Sequence, residues 1–239
     1  MQNFPPIQNF WRSRRSSLRR SPRHNKAGFT LIEMLVVTLM IGVMFAIAAP
    51  GWLGFMQQRR VNSVNDAVVR ALQDAQSQAK TKKLSYSVSF KQDNGIPEVA
   101  VYQTKIPDPG DPSQNKDIDP FDPSFKSWKP LGENLELKGN QVLLGTNLGS
   151  PNRANSPVSY TLNGNKITFD YTGALPITPT PNLGTENQGL IIVAAAPQSN
   201  DPDQPLQPTR RCVKVSTLLG SIQAGKISST GGAEKCNPI

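Results

Sequence analysis

The sequence is nearly free of histidine, and its one imidazole, His24, lies in the first 28 residues. A mature chain lacking that segment has no imidazole, which excludes Ser-His-Asp and Cys-His catalysis and any His-ligated metal site. Cysteine is scarce as well, and Cys212 and Cys236 cannot build a four-thiolate zinc site by themselves. No paired-carboxylate or nucleophile motif is visible. No catalytic residue, metal or cofactor is therefore assigned, and an enzyme is disfavoured. Aromatic residues make up 7% of the chain against 21 prolines. That balance suits a loop-rich, exported β domain better than a large enzyme core.

Acid is absent from residues 1–28, which carry Arg12, Arg14, Arg15, Arg19, Arg20, Arg23 and Lys26. These seven account for most of the net charge of +9. Subtracting them from the 26 basic residues leaves 19 against 17 acidic ones, close to neutral. The basicity belongs to the N-terminal tail. This removes most of the argument for a generic nucleic-acid-binding domain.

What the sequence does contain is a long apolar run, Phe29–Ala49, interrupted by one charge, Glu33. As a helix rising 1.5 Å per residue it is about 30 Å long, enough to cross a bilayer. The basic tail orients it with residues 1–28 in the cytoplasm and everything after the span exported. A secretory signal peptide is disfavoured, because its apolar core is shorter and ends at a small-residue cleavage site. An ordinary single-pass anchor leaves Glu33 unexplained. A carboxylate within an apolar span costs about 2.5–3.5 kcal/mol on insertion scales, so it needs a partner. A cut just before Phe29 creates an α-ammonium one helical turn away. In a bundle of subunits, the ammonium of one chain neutralises the glutamate of another and fixes the register.

The stretch Lys26-Ala27-Gly28-Phe29-Thr30-Leu31-Ile32-Glu33-Met34-Leu35-Val36-Val37 resembles the type III signal of type IV prepilins and type II secretion pseudopilins. The resemblance implies a cut after Gly28 by the membrane-bound prepilin peptidase and methylation of the new N-terminal residue, Phe29. It makes Glu33 the fifth residue of the mature chain and the assembly or register residue. It makes Pro50 a helix-kinking proline. The implied partners are the peptidase, other pilins or pseudopilins in a filament, the inner-membrane assembly platform and membrane lipid.

Beyond Pro50, the residues Val61, Val64, Val68, Leu72, Ala75 and Ala79 recur at spacings of three and four. They predict an amphipathic helix with its valine stripe on a sheet. Gly51 and Gly54 beside Pro50 predict a kink or local melting around 50–54. Arg59, Arg60, Lys82 and Lys83 read as solvated or lipid-headgroup contacts. The expected organisation is a leader 1–28, a membrane or filament-core helix 29–49, an amphipathic continuation 50–83 and an exported β-rich domain 84–239. The fold class is α+β and pilin-like, a long N-terminal helix packed on an antiparallel sheet.

Within the β domain, Leu84, Tyr86, Val88 and Phe90 alternate with serines, a pattern for a half-buried strand. Residues 98–103 are expected to pair back on it through Asp93-Asn94-Gly95. The clearest hairpin signal is 158–162 and 165–171 around Asn163-Gly164, which suits a type I′ turn. Residues 188–196 read as a central strand, and 212–218 with 221–227 as a last hairpin around Gly220. The Pro-rich segments 106–130 and 197–208 read as surface insertions or mobile loops. Asp117, Asp119 and Asp122 invite a calcium reading, since some major pseudopilins bind calcium in a loop. Without an EF-hand-like glycine and terminal glutamate, solvated turn carboxylates are favoured.

Short stretches at 72–79, 167–173 and 211–216 resemble the GspH/FimT type of minor pseudopilin. A FimT-like likeness implies DNA binding through a basic Gly-Arg-x-Arg motif. The matching place here reads Gly220-Ser221-Ile222-Gln223, without either arginine, so DNA is a disfavoured partner. Arg210, Arg211, Lys214 and Lys226 remain as candidate phosphate contacts. Cys212 and Cys236 lie in the exported part, where paired thiols usually oxidise, and a disulfide between them is favoured over free thiols or an intermolecular link.

The function expected is a minor pilin-like subunit of a type IV pilus or type II secretion pseudopilus. It sits in the inner membrane as a single-pass protein with an exported C-terminal domain, and in the filament after assembly. The alternative is a pilus-associated component that binds DNA or another ligand in transformation or adhesion.

Overall fold

The computed structural model describes residues 28–107, 110, 114–132, 137–162, 166–184, 188–230 and 233–238. Most of the leader lies outside them. The chain divides into two units, Met1–Ile47 and Ala48–Ile239. Helix α1, Leu31–Lys82, contributes to both.

In the first unit, the described residues are a short extended lead-in at 28–30 followed by α1. Every helical residue from Leu31 to Ile47 is exposed. The helical assignment continues unbroken through 50–54. The local melting expected there is absent, because a proline and two glycines weaken a helix without forbidding it.

In the second unit, the predicted stripe is the buried face of α1. Val61, Val64, Leu72, Ala75 and Ala79 are fully buried and Val68 nearly so. Each fully buried valine or leucine contributes about 1.5–3 kcal/mol of transfer free energy. Two antiparallel sheets share this core. The smaller has the order β5-β2-β1-β8, with β1 Tyr86–Asp93, β2 Ile96–Gln103, β5 Lys129–Pro130 and β8 Lys166–Phe169. The larger has the order β12-β11-β10-β9-β6-β7. Its strands are β6 Leu143–Ser150, β7 Arg153–Ser159, β9 Leu190–Ala195, β10 Arg211–Val215, β11 Ile222–Thr230 and β12 Ala233–Pro238.

Central strand β9 is buried on both faces. Leu190, Ile192 and Ala194 join the core that contains the helix stripe. Ile191 and Val193 point the other way, into a second cluster with Cys212 and Cys236. The two-residue side-chain period of a strand explains this division.

The β1–β2 turn is the expected one, with Asn94 and Gly95 at φ 48° and 75°, the positive values of a type I′ turn. The alternation in β1 was misleading in one respect. Ser87 and Ser89 are fully buried. The Ser87 hydroxyl lies 2.8 Å from both Thr104 Oγ1 and Thr168 Oγ1, and Ser89 Oγ lies 3.0 Å from the Tyr102 hydroxyl. Hydrogen-bond partners on and beside the neighbouring strands make that polar face tolerable inside.

The hairpin expected around Asn163-Gly164 does not form. Strand β7 pairs with β6, whereas β8 pairs with β1 in the other sheet. Residues 163–165 themselves lie outside the described set. Instead, Asn152, at the β6–β7 turn, occupies the free edge of β8. Its Nδ2 donates to Thr168 O at 3.1 Å, and Thr168 N donates to its Oδ1 at 2.8 Å. A side-chain amide thus stands in for an edge strand and ties the sheets together.

The Pro-rich segments carry structure of their own. Strands β3, Lys105–Pro107, and β4, Asn115–Asp117, form a small hairpin. Beyond it, Phe125 packs edge-on against Tyr102 at 5.4 Å and against Trp128 at 6.1 Å. In the later segment, a bridge joins Pro197 to Pro205 and a 3-10 turn spans Gln207–Thr209.

Candidate assembly site

The N-terminus of α1 is built by Thr30. Helix residues begin at Leu31, and the Glu33 amide donates to Thr30 Oγ1 at 3.2 Å. This is an N-cap, worth about 1 kcal/mol to a helix. Thr30-Leu31-Ile32-Glu33 has the Thr-x-x-Glu spacing of a capping box. That spacing marks Thr30 as the cap from sequence alone. Glu33 lies in the first turn, where the helix dipole favours a carboxylate.

Phe29 is 72% exposed, and among the described residues Gly28 has no atom within 4 Å of where a Cβ would stand. Leu31–Ala48 has a mean hydropathy of 2.5, and none of it is buried. Thr38, the polar residue inside it, returns its hydroxyl to Met34 O and Leu35 O, both at 3.0 Å. Its polarity is therefore satisfied within the helix. Gly28, Phe29 and Glu33 lie together at one helix start, and Pro50 belongs to the same helix.

Cys212 and Cys236 form a disulfide, with Cα atoms 5.9 Å apart. They belong to β10 and β12, which flank β11. Adjacent strands lie roughly 4.8 Å apart, so the sheet folds sharply across β11 to bring them together.

The four basic residues considered as phosphate contacts separate into different classes. Arg210 is 6% exposed and ion-paired with Glu234, which takes it out of that role. Arg211 Nε donates to Asn62 Oδ1 on α1 at 3.0 Å. Lys226 is exposed and Lys214 half-buried. Beside the buried ion pair lies Tyr160, whose phenol is pushed up to about 12 by burial, with Arg210 pulling the other way.

The three aspartates form turns and a surface pair. Asp117 pairs with Lys105 at 3.6 Å. Asp119 accepts from the Phe121 amide at 2.9 Å. Asp122 accepts from the Ser124 hydroxyl and amide at 2.6 and 2.8 Å. Those hydrogen bonds hold the Asp122 carboxyl below its ordinary value. Among the described residues no cluster of three or more metal-ligating side chains occurs.

Residues 23–49 match the family model for the prokaryotic N-terminal methylation motif. The motif is that of a type IV pilin-like precursor. Such precursors are processed by prepilin peptidase and serve as structural subunits that assemble with other pilins. The matched residues include Gly28, Phe29, Glu33 and the apolar run, which fits a membrane-anchored pilin. No curated protein and no solved structure matches the chain.

Proposed function

We propose that the protein is a minor pilin-like subunit of the GspH/FimT type, serving a type IV pilus or a type II secretion pseudopilus. Prepilin peptidase cuts between Gly28 and Phe29, and the new N-terminal Phe29 is methylated. The subunit waits in the inner membrane with its β domain exported. It then enters a filament in which the apolar halves of the helices pack together, with Pro50 bending the helix beyond the membrane half.

The observation that carries this reading is the state of Glu33. It occupies the first turn of a helix whose apolar residues to Ala48 have no protein cover, four residues after Phe29. The ammonium exposed at Phe29 in a neighbouring subunit is a partner of matching charge at matching depth. Packing against other subunits also removes the exposed apolar surface from lipid.

The test is the variant Glu33→Ala, followed by the amount of subunit in sheared filaments and in the membrane. The variant should reach the membrane and be cut, yet be depleted from filaments. Incorporation at the wild-type level contradicts the proposed role of Glu33.

A further inference from the structure

The apolar window ends at Ala48, and the buried core begins at Val61. Between them, Trp52, Leu53 and Phe55 are exposed by 64%, 66% and 57%. Their exposure continues that of the membrane segment, although they belong to the second unit. The Trp52 and Phe55 rings lie 6.0 Å apart.

We infer that Trp52, Leu53 and Phe55, with Arg59 and Arg60, form an interfacial collar that holds the unassembled subunit in the exported headgroup layer of an anionic bilayer. The inference rests on the membrane-anchored reading above, and adds the residues that fix depth and the lipid that meets them.

The three side chains share one broad face. At 100° per residue, Leu53 lies about +100° and Phe55 about −60° from Trp52, an arc of roughly 160°. The chemistry of that face argues for lipid over a docked protein. Tryptophan suits this layer, because its ring is apolar and its indole N–H seeks an acceptor such as a lipid carbonyl. Among the described residues that N–H has no protein acceptor.

Charge placement agrees. Arg59 and Arg60 follow seven residues after Trp52 and Leu53, two helical turns on, and so project over the same arc. Neither is in an ion pair among the described residues. Phosphatidylglycerol phosphates at the bilayer surface supply the complementary charge.

The experiment uses the full chain carrying Trp11→Phe, reconstituted in vesicles of phosphatidylethanolamine and phosphatidylglycerol. Some vesicles contain lipid brominated high on the acyl chain, and others lipid brominated near its end. Trp52 emission should shift to shorter wavelength and be quenched more by the high bromines. Adding Trp52→Phe should abolish the lipid-quenched component and leave the Trp128 signal. Replacing phosphatidylglycerol with phosphatidylcholine should weaken the quenching of Trp52 by the high bromines, and Arg59→Gln with Arg60→Gln should shrink that difference. A membrane-bound chain whose Trp52 is unquenched, or is quenched more by the deep bromines, overturns the collar alone. A chain that does not pellet with vesicles at all overturns the membrane-anchored reading as well.

Discussion

Gly225 faces Cys212 across the β10–β11 ladder, and a Cβ on Gly225 would stand 3.1 Å from Cys236 Sγ. The same Cβ would meet Asn237 O at 2.1 Å, closer than real atoms approach. The disulfide therefore crosses β11 at the one residue without a side chain. Gly225→Ala should cost about 1–3 kcal/mol through overpacking and lower the fraction of oxidised chain. Urea unfolding and thiol trapping of the purified variant check the two effects.

Removing the bridge itself tests a different quantity. The cysteines are 24 residues apart in sequence, and a loop of that size is worth about 3 kcal/mol in the chain-entropy model. The double variant Cys212→Ser, Cys236→Ser should lose about that much stability. Reductant should destabilise the wild type and leave the double variant unchanged.

Gln76 links α1 to two loops at once. Its Nε2 donates to Gly173 O at 2.7 Å and to Gly220 O at 3.0 Å. Both glycines have positive φ, 81° and 78°, so these loops hold conformations that other residues rarely adopt. Gln76→Ala should cost about 1–3 kcal/mol by leaving the carbonyls without this donor. Hydrogen exchange should rise in 170–175 and 216–221 before it rises in β9.

Two buried phenols give a pH signature. Burial pushes Tyr102 and Tyr160 each up to about 12, from an ordinary value of 10. A raised phenol pKa favours the folded state while the group is protonated. That stability is fully present below pH 10 and is lost as pH rises from about 10 through about 12. Unfolding midpoints measured across this window should fall. Tyr102→Phe with Tyr160→Phe should flatten the fall.

Which parts of this fold could be read from sequence depends on whether the signal was local. The helix stripe from Val61 to Ala79 was legible because each residue's burial is set by its angle on one helix. Asn94-Gly95 and Asn163-Gly164 offer the same dipeptide and give opposite outcomes. The first joins two strands with no better partners. Near the second, β8 has β1 to pair with and β7 has β6, so long-range pairing overrides the turn. Strand β6 escaped notice because Leu143-Leu144-Gly145-Thr146 shows no alternation. Strand β12 is short and follows two glycines, and its place depends on β11 and the disulfide. At the candidate site, the methylation motif over 23–49 was legible because it is contiguous in sequence. The ion pair that engages Arg210 was not, because Glu234 lies on β12, 24 residues further along the chain.

Mass spectrometry of the chain from its native membrane decides whether it is cut between Gly28 and Phe29. The expected polypeptide starts at Phe29 and carries one methyl group on its α-amine. A chain that retains residues 1–28, or begins at another residue, contradicts the proposed cut.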